Sequence, residues 1–328
     1  RIHFMQFKAN SAFSRLIWPF LNLASLVFKS ISFLNIKIRA LRQKEFPELF
    51  IISVDNLSFG GTGKTPLVMA MGRALEKKGA RFAIISRGYR SRYEKKGICV
   101  HAEHSYKEVG DEPLMLKASF PTQDVFIGRD RLCSLAAAAA KNYRILILDD
   151  GFQSSHIKKD FSVMLINSGH PYFYLRNFKF MSRRTDRILT YQPAGQAEKP
   201  LPADTYDFVT DKLLNSAGQE VTIGAAPIVA FSALGDNDRF ENDMRRYRLA
   251  AFRGFSDHHA FSPADLHSLE RLRKEKGGEW LVCSEKDFCK IKNLLPAAAP
   301  LLYARNEIRL PNDTIEQIIK HATEKGFI

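Results

Sequence analysis

Apolar positions along this chain fall into short runs separated by stretches of helical spacing. Residues 49–54, Leu-Phe-Ile-Ile-Ser-Val, form a β-branched run that reads as a buried strand. A glycine-rich segment follows, and Leu67 to Lys78 then carries apolar residues at helical spacing, stopped by Gly79. The alternation continues with a strand over 81–86, a helix near 112–119, a strand over 124–127, a helix over 129–141, and strands over 144–148 and 161–166. Strands alternating with helices predict right-handed crossovers and a parallel sheet flanked by helices. Residues 192–226 are rich in Pro, Gly and Ala and weakly patterned, which predicts a linker. Beyond it, strands at 228–231, 249–252 and 280–283 alternate with helices at 237–248 and 263–276, a second and smaller α/β unit. The expected organisation is an N-terminal segment 1–45, an α/β domain 46–191, the linker, and a C-terminal α/β domain 227–328.

The first segment differs from the rest. Residues 1–50 hold eight Lys/Arg against two acids, Glu45 and Glu48, among Phe, Leu, Ile and Trp. Pro19, Asn22, Ser25 and Lys29 interrupt the apolar run, which argues against the about 20 continuous apolar residues of a spanning helix. No small-residue cleavage site follows it clearly. Basic and aromatic residues mixed with aliphatic ones predict an amphipathic helix lying in the interface of an anionic leaflet. Over all 328 residues, 49 Lys/Arg against 35 Asp/Glu give a net charge of +14, which calls for an anionic partner: nucleic acid, a membrane surface or a phosphorylated substrate. With 45% hydrophobic and 26% charged residues the composition is globular. The four cysteines show no CxxC spacing, so a zinc ribbon is not expected and free thiols in a reducing compartment are.

The sharpest chemical signal is Ser58-Phe-Gly-Gly-Thr-Gly-Lys-Thr65, between the first strand and its helix. It fits GxxxxGK[ST] except that Ser58 replaces the first Gly. Backbone N–H groups around Ser58, Gly60, Gly61, Thr62 and Gly63 would wrap the phosphates of ATP. Lys64 would reach the β- and γ-phosphates, and the Thr65 hydroxyl would ligate Mg²⁺. Pro66 is tolerated in the first helical turn. Such a loop needs a further acid for the metal, and Asp149-Asp150 stand at the end of a strand where one belongs. Ser284-Glu-Lys-Asp287 is not the base-reading motif of a GTPase, and Phe59 stands where a MinD-like ATPase carries a Lys. A kinase is therefore favoured over a switch.

Seven segments occur in order as they do in the tetraacyldisaccharide 4′-kinases of lipid A synthesis: Asn56 to Pro66, Ser86-Arg-Gly-Tyr-Arg90, Gly110-Asp-Glu-Pro113, Gly128-Arg-Asp-Arg131, Asp149-Asp-Gly-Phe-Gln153, Asp257-His-His259 and Ser284 to Asp287. The chain resembles that family from about residue 50 to 290, as a divergent member. The resemblance implies transfer of the γ-phosphate of ATP to the 4′-hydroxyl of a tetraacyl glucosamine disaccharide 1-phosphate, forming lipid IVA at the cytoplasmic face of the inner membrane. It implies Asp111 as catalytic base, a His of the Asp-His-His segment (His258 before His259) pairing with it from the second domain, and Lys64 in catalysis. Asp149 and Asp150 would serve Mg²⁺. Tyr89, Arg90, Glu112, Arg131 and Gln153 would lie near substrate or phosphate. The partners implied are the anionic glycolipid and the membrane surface, with no nucleic acid and no protein partner required. The chain departs from the family with Asp55 where Gly is usual, Ser154 where His is usual, and little match over 168–177. The alternative is a P-loop ATPase regulated by a protein at the membrane.

Overall fold

The computed structural model describes residues 12–58, 62–167, 175–192, 204–292, 294 and 299–328. The chain opens with helix α1 (Ala12–Ala40), which keeps Pro19 within it. The first α/β unit follows: β1 (Phe50–Asn56), α2 (Lys64–Lys77), β2 (Phe82–Ser86), β3 (Ile98–Val100), α3 (Tyr106–Val109), α4 (Asp111–Ser119), β4 (Asp124–Ile127), α5 (Arg131–Ala140), β5 (Ile145–Asp149), β6 (Phe161–Ile166) and β7 (Arg187–Tyr191). Next come β8 (Thr205–Leu214), β9 (Ile228–Ser232), α6 (Asn237–Met244), β10 (Leu249–Gly254), α7 (Pro263–Glu275), β11 (Trp280–Ser284), α8 (Glu285–Ile291), β12 (Leu301–Arg309) and α9 (Asn312–Glu324). The strands form one hydrogen-bonded series in the order β10-β9-β11-β12-β8-β7-β6-β1-β5-β2-β4-β3. Pairing is parallel except at β3–β4 and β8–β12. β1 and β5 are wholly buried, as strands covered by helices on both faces must be.

Two features depart from the expected organisation. The segment expected as a linker contains β8, a ten-residue strand. Its first residues, Thr205 and Tyr206, pair in parallel with β7, while 207–214 run antiparallel to β12, so this strand joins the two units into one sheet. Pro, Gly and Ala flanking it mask its pattern, and residues 193–203 lie outside those described. The C-terminal helix also crosses the expected boundary. Ile318 and Ala322 of α9 are buried in the same core as Phe50, Leu67 and Phe161 of the first unit. Arg187 reaches Asp313 at 3.0 Å across that contact. An amphipathic helix buries its apolar face wherever the chain can carry it, and β12 carries α9 back to β1.

Helix α1 touches the body through one side of its C-terminal half. Ile36 packs with Leu57, Phe152 and Met164, Phe33 meets the Phe178 ring edge-on, and Ser32 donates to Asn177 at 2.7 Å. Phe20, Leu23, Ile31 and Leu34 are each at least 59% exposed, far more apolar surface than an isolated soluble helix leaves open. From Pro19 to Ala40 the helix is long and apolar enough to cross a bilayer by length and composition, and this exposed side fits membrane association.

Candidate active site

Most of the residues expected to act lie just past the carboxyl ends of parallel strands, where open α/β sheets hold their ligands. β1 and β5 are neighbours with Val54 opposite Asp149, so the loop leaving β1 and the acids ending β5 come together by register. Gly63 sits at φ +87° and caps α2. A Cβ there would fall 2.0 Å from the ring of Phe208, so the position needs glycine for both space and backbone angle. Tyr206 supports the same turn by donating its hydroxyl to the Thr62 carbonyl at 2.8 Å. Phe208 and Tyr206 both come from β8, so the expected linker forms the wall beneath the phosphate loop. Gly60 and Gly61 lie outside the described residues. The hydroxyls of Ser58 and Thr62 are buried without a hydrogen-bond partner, and Thr65 is buried at the start of α2.

The paired acids have different surroundings. Ser86 donates to Oδ2 of Asp149 at 2.8 Å, and its Oδ1 is buried with no partner. Burial, followed by the charges of Glu112 and Asp150, pushes this carboxyl up to about 6 against the pull of Lys64. Asp150 adopts a left-handed backbone, φ +60°, which turns its side chain away from the strand. Arg176 closes on it with two nitrogens, one at 3.0 Å, and also donates to Oδ1 of Asn56 at 2.8 Å. Against the effect of burial, Arg176 and Lys64 hold Asp150 well below the ordinary carboxylate range. Arg176 went unnoticed in the sequence because residues 168–177 match no pattern, yet it is the fork that fixes Asp150.

Across the cleft, Asp111 begins α4 and Nδ1 of His258 stands 3.0 Å from its Oδ2. An ionised carboxylate only accepts, so Nδ1–H is the donor, while Nε2 stands 3.8 Å from Oδ2 of Asp257. His258 too has a left-handed backbone, φ +58°. Lys286 and Lys290, one turn apart on α8, each place Nζ 3.7 Å from the same oxygen, and Lys286 also pairs with Glu112 at 3.3 Å. Burial pushes Asp111 up, but the His258 bond and the two ammonium groups outweigh it and hold the carboxyl far below its ordinary value. The Ser284 to Asp287 segment marks this place without revealing that its Lys286, and Lys290 just beyond it, face Asp111.

Other expected residues divide. His259 is not brought to Asp111: it stacks on Phe255 with ring centroids 4.8 Å apart and bonds Asp265 at 3.2 Å. Successive side chains in a turn diverge, so only one of the two histidines can enter the cleft. Arg131 is buried and donates to the carbonyls of Gly128 and Asp149, which makes it a brace beneath the acids. Tyr89 is exposed beneath the guanidinium groups of Arg87 and Arg90. Arg90 has φ +60° and its N–H donates to Glu94. Gln153 makes no hydrogen bond among the described residues.

A family profile described as Tetraacyldisaccharide-1-P 4′-kinase matches residues 14–324. A tetraacyldisaccharide 4′-kinase of Methylobacterium nodulans is 34% identical over 266 residues, 76% of each chain. One of Desulfotalea psychrophila is 28% identical over 94% of this chain and 97% of its own. The crystal structure of LpxK from Aquifex aeolicus in complex with ATP superposes with a TM-score of 0.73 at 26% identity, covering 95% of this chain and 98% of that one.

Proposed function

This chain belongs to the tetraacyldisaccharide-1-P 4′-kinase family, and on that premise we propose how its residues divide the work of phosphoryl transfer to the 4′-hydroxyl of a tetraacyl disaccharide 1-phosphate. The activity is that of an ATP-dependent kinase of lipid A biosynthesis. The observation that carries the division of labour is that Asp111 and His258 form a hydrogen-bonded pair, with the adjacent Glu112 close enough to Asp149 for its charge to raise that carboxyl.

In this scheme Lys64 and the N-terminus of α2 receive the β- and γ-phosphates. The unpartnered Oδ1 of Asp149 fits a divalent cation, since it is an oxygen that no protein donor occupies, and the Thr65 hydroxyl at the start of α2 would be a second ligand. Bound there, Mg²⁺ would neutralise charge on the transferring phosphoryl group. Asp150 is fully engaged by Arg176 and positions the strand end. Gln153, Glu112, Tyr89 and Arg90 border the acceptor. The 4′-hydroxyl gives its proton to the Asp111–His258 pair as its oxygen bonds to the γ-phosphorus and the bond to ADP breaks. Asp111 and Lys286 come from different units, so the base is complete only with the two units apposed. The exposed face of α1 seats the enzyme on the cytoplasmic face of the inner membrane, where its lipid acceptor is held.

The test is direct. Purified protein in detergent, with labelled ATP, Mg²⁺ and tetraacyl disaccharide 1-phosphate, yields a bisphosphorylated lipid, and His258→Ala sharply slows it. Hydrolysis of ATP without any labelled lipid would sink the proposal in favour of a protein-regulated ATPase.

A further inference from the structure

Three residues after Arg176 the chain forms a short 3₁₀ helix, Lys179–Arg184, which is held on one side and open on the other. Met181 is buried in the cluster that contains Ile36, Leu57 and Phe152. Ser182 is buried too, and its hydroxyl donates to the Lys179 carbonyl at 2.7 Å. Lys179, Phe180, Arg183 and Arg184 are exposed, Phe180 with 55% of its surface open. Residues three apart eclipse in a 3₁₀ helix, so Phe180 and Arg183 share a face. The Phe180 ring stacks on Phe178 with centroids 5.5 Å apart and meets the edge of Phe33 of α1 at 5.8 Å. Lys37, one turn beyond Phe33, places Nζ 5.6 Å from the centre of that ring. Among the described residues, Lys37, Lys179, Arg183 and Arg184 have no carboxylate within ion-pair distance. The nearest acid in sequence, Asp186, is engaged in the fold: its Oδ2 accepts from the N–H and the hydroxyl of Ser162, each at 2.8 Å.

An arginine pair alone is an ordinary solvated face. Here it accompanies an open aromatic ring, and that ring lies against a helix whose own Leu34 and Ile38 are exposed beside Phe33. Cations around aromatic and aliphatic side chains match an anionic leaflet, where the rings enter the headgroup boundary and the charges meet lipid phosphates. A nucleic acid would take the charges and leave the apolar surface of α1 unused. Resting on the membrane reading of α1 given above, we propose that the Lys179–Arg184 turn is a second membrane contact, with Phe180 entering the interface and Lys179, Arg183 and Arg184 holding anionic headgroups. A single helix leaves the body free to roll about the helix axis. A second contact off that axis, fixed to the core by Met181 and Ser182, removes the freedom. The same stretch of chain carries Arg176, the fork on Asp150, so the segment that touches lipid is continuous with one that orders the site.

Two measurements on the full chain test this. In the first, a photoreactive Phe180→p-benzoylphenylalanine protein is irradiated on mixed phosphatidylcholine–phosphatidylglycerol vesicles and on native membranes, and the crosslinked species is phospholipid. In the second, vesicle binding of Arg183→Ala/Arg184→Ala, whose altered side chains are exposed, is compared with wild type. The Kd for the mixed vesicles rises at least about tenfold at low salt, while that for pure phosphatidylcholine is unchanged. Phosphoryl transfer in non-ionic micelles also stays unchanged, which shows the fold intact. Absence of lipid capture together with equal vesicle binding by both proteins would overturn the proposal and leave α1 as the anchor. Failure of the wild type to bind either vesicle would sink the reading of α1, and the proposal with it. Capture of a protein instead of lipid on native membranes would assign the turn to a protein partner and overturn it. Failure of the kinase reading looks different: no labelled lipid product, while lipid capture and the phosphatidylglycerol-dependent loss in the variant persist.

Discussion

His258 and Asp111 are 147 positions apart in the chain and meet at 3.0 Å between Nδ1 and Oδ2. His259, its neighbour, turns to Asp265 in its own unit. The two histidines therefore separate sharply in a kinetic test. His258→Ala lowers kcat by about 10²-fold or more, with little change in the KM for ATP, because a positioned proton acceptor contributes on that scale. His259→Ala leaves kcat within about twofold and costs some stability through lost stacking. Equal losses of kcat in both variants would refute the assignment.

Lys286 lies 3.7 Å from Asp111 and helps to hold its carboxyl in the charged form. Removing that ammonium in Lys286→Met raises the Asp111 value toward normal. A carboxylate active when ionised then loses function at higher pH on the acid side, so the acidic limb of the kcat profile moves up while the plateau at higher pH changes less. A pH–rate series on both proteins reads the shift. An unmoved limb would show that Lys286 only packs.

Asp149 is a buried carboxyl pushed up to about 6 from an ordinary 3.8. A raised folded-state value means that the native protein binds the proton more tightly than the unfolded chain. The stability from this group is full below the unfolded value and is lost as pH rises through about 6. Asp149→Asn in the absence of metal should therefore melt higher than wild type at pH 7.5, by roughly 2–4 °C, while abolishing transfer. The gain should vanish near pH 4. A variant less stable than wild type at pH 7.5 would contradict the unpartnered state of Oδ1.

Gly63 is pressed against Phe208 at a left-handed backbone angle. Gly63→Ala meets two obstacles, the ring and the angle, and only the first can be relieved. ATP affinity should fall at least about tenfold, and Phe208→Ala in the same chain should restore folding stability in part without restoring full affinity. Urea melts together with ATP titration separate the two. Full recovery would mean that the angle carries no cost.

Much of the site is legible along the chain because it is built from contiguous residues. The phosphate loop lies between a β-branched run and a helical pattern, and Asp149-Asp150 close a strand of plainly buried type. The seven ordered segments place Asp111 and the Asp-His-His turn as well. Arg176 was not legible, because its importance comes from a fork that reaches across 120 positions to Asn56 and not from its neighbours. β8 was hidden by the Pro, Gly and Ala around it, although Tyr206 and Phe208 carry the wall under the loop.

The sequence by itself determined the local pattern: which loop has the spacing of a phosphate-binding segment, which strand ends in acids, and which segment is basic and apolar enough to suit a membrane surface. These follow from spacing and side-chain type within a few residues, where propensity and periodicity act directly. Only the tertiary structure decided the rest. It chose His258 over His259, turned Lys286 and Lys290 onto Asp111, gave Asp150 to Arg176 and left Asp149 an open oxygen, joined the two units through β8, and returned α9 to the first core. Each of these depends on packing between distant segments, and a one-dimensional pattern shows which surfaces must be buried but not which partners bury them.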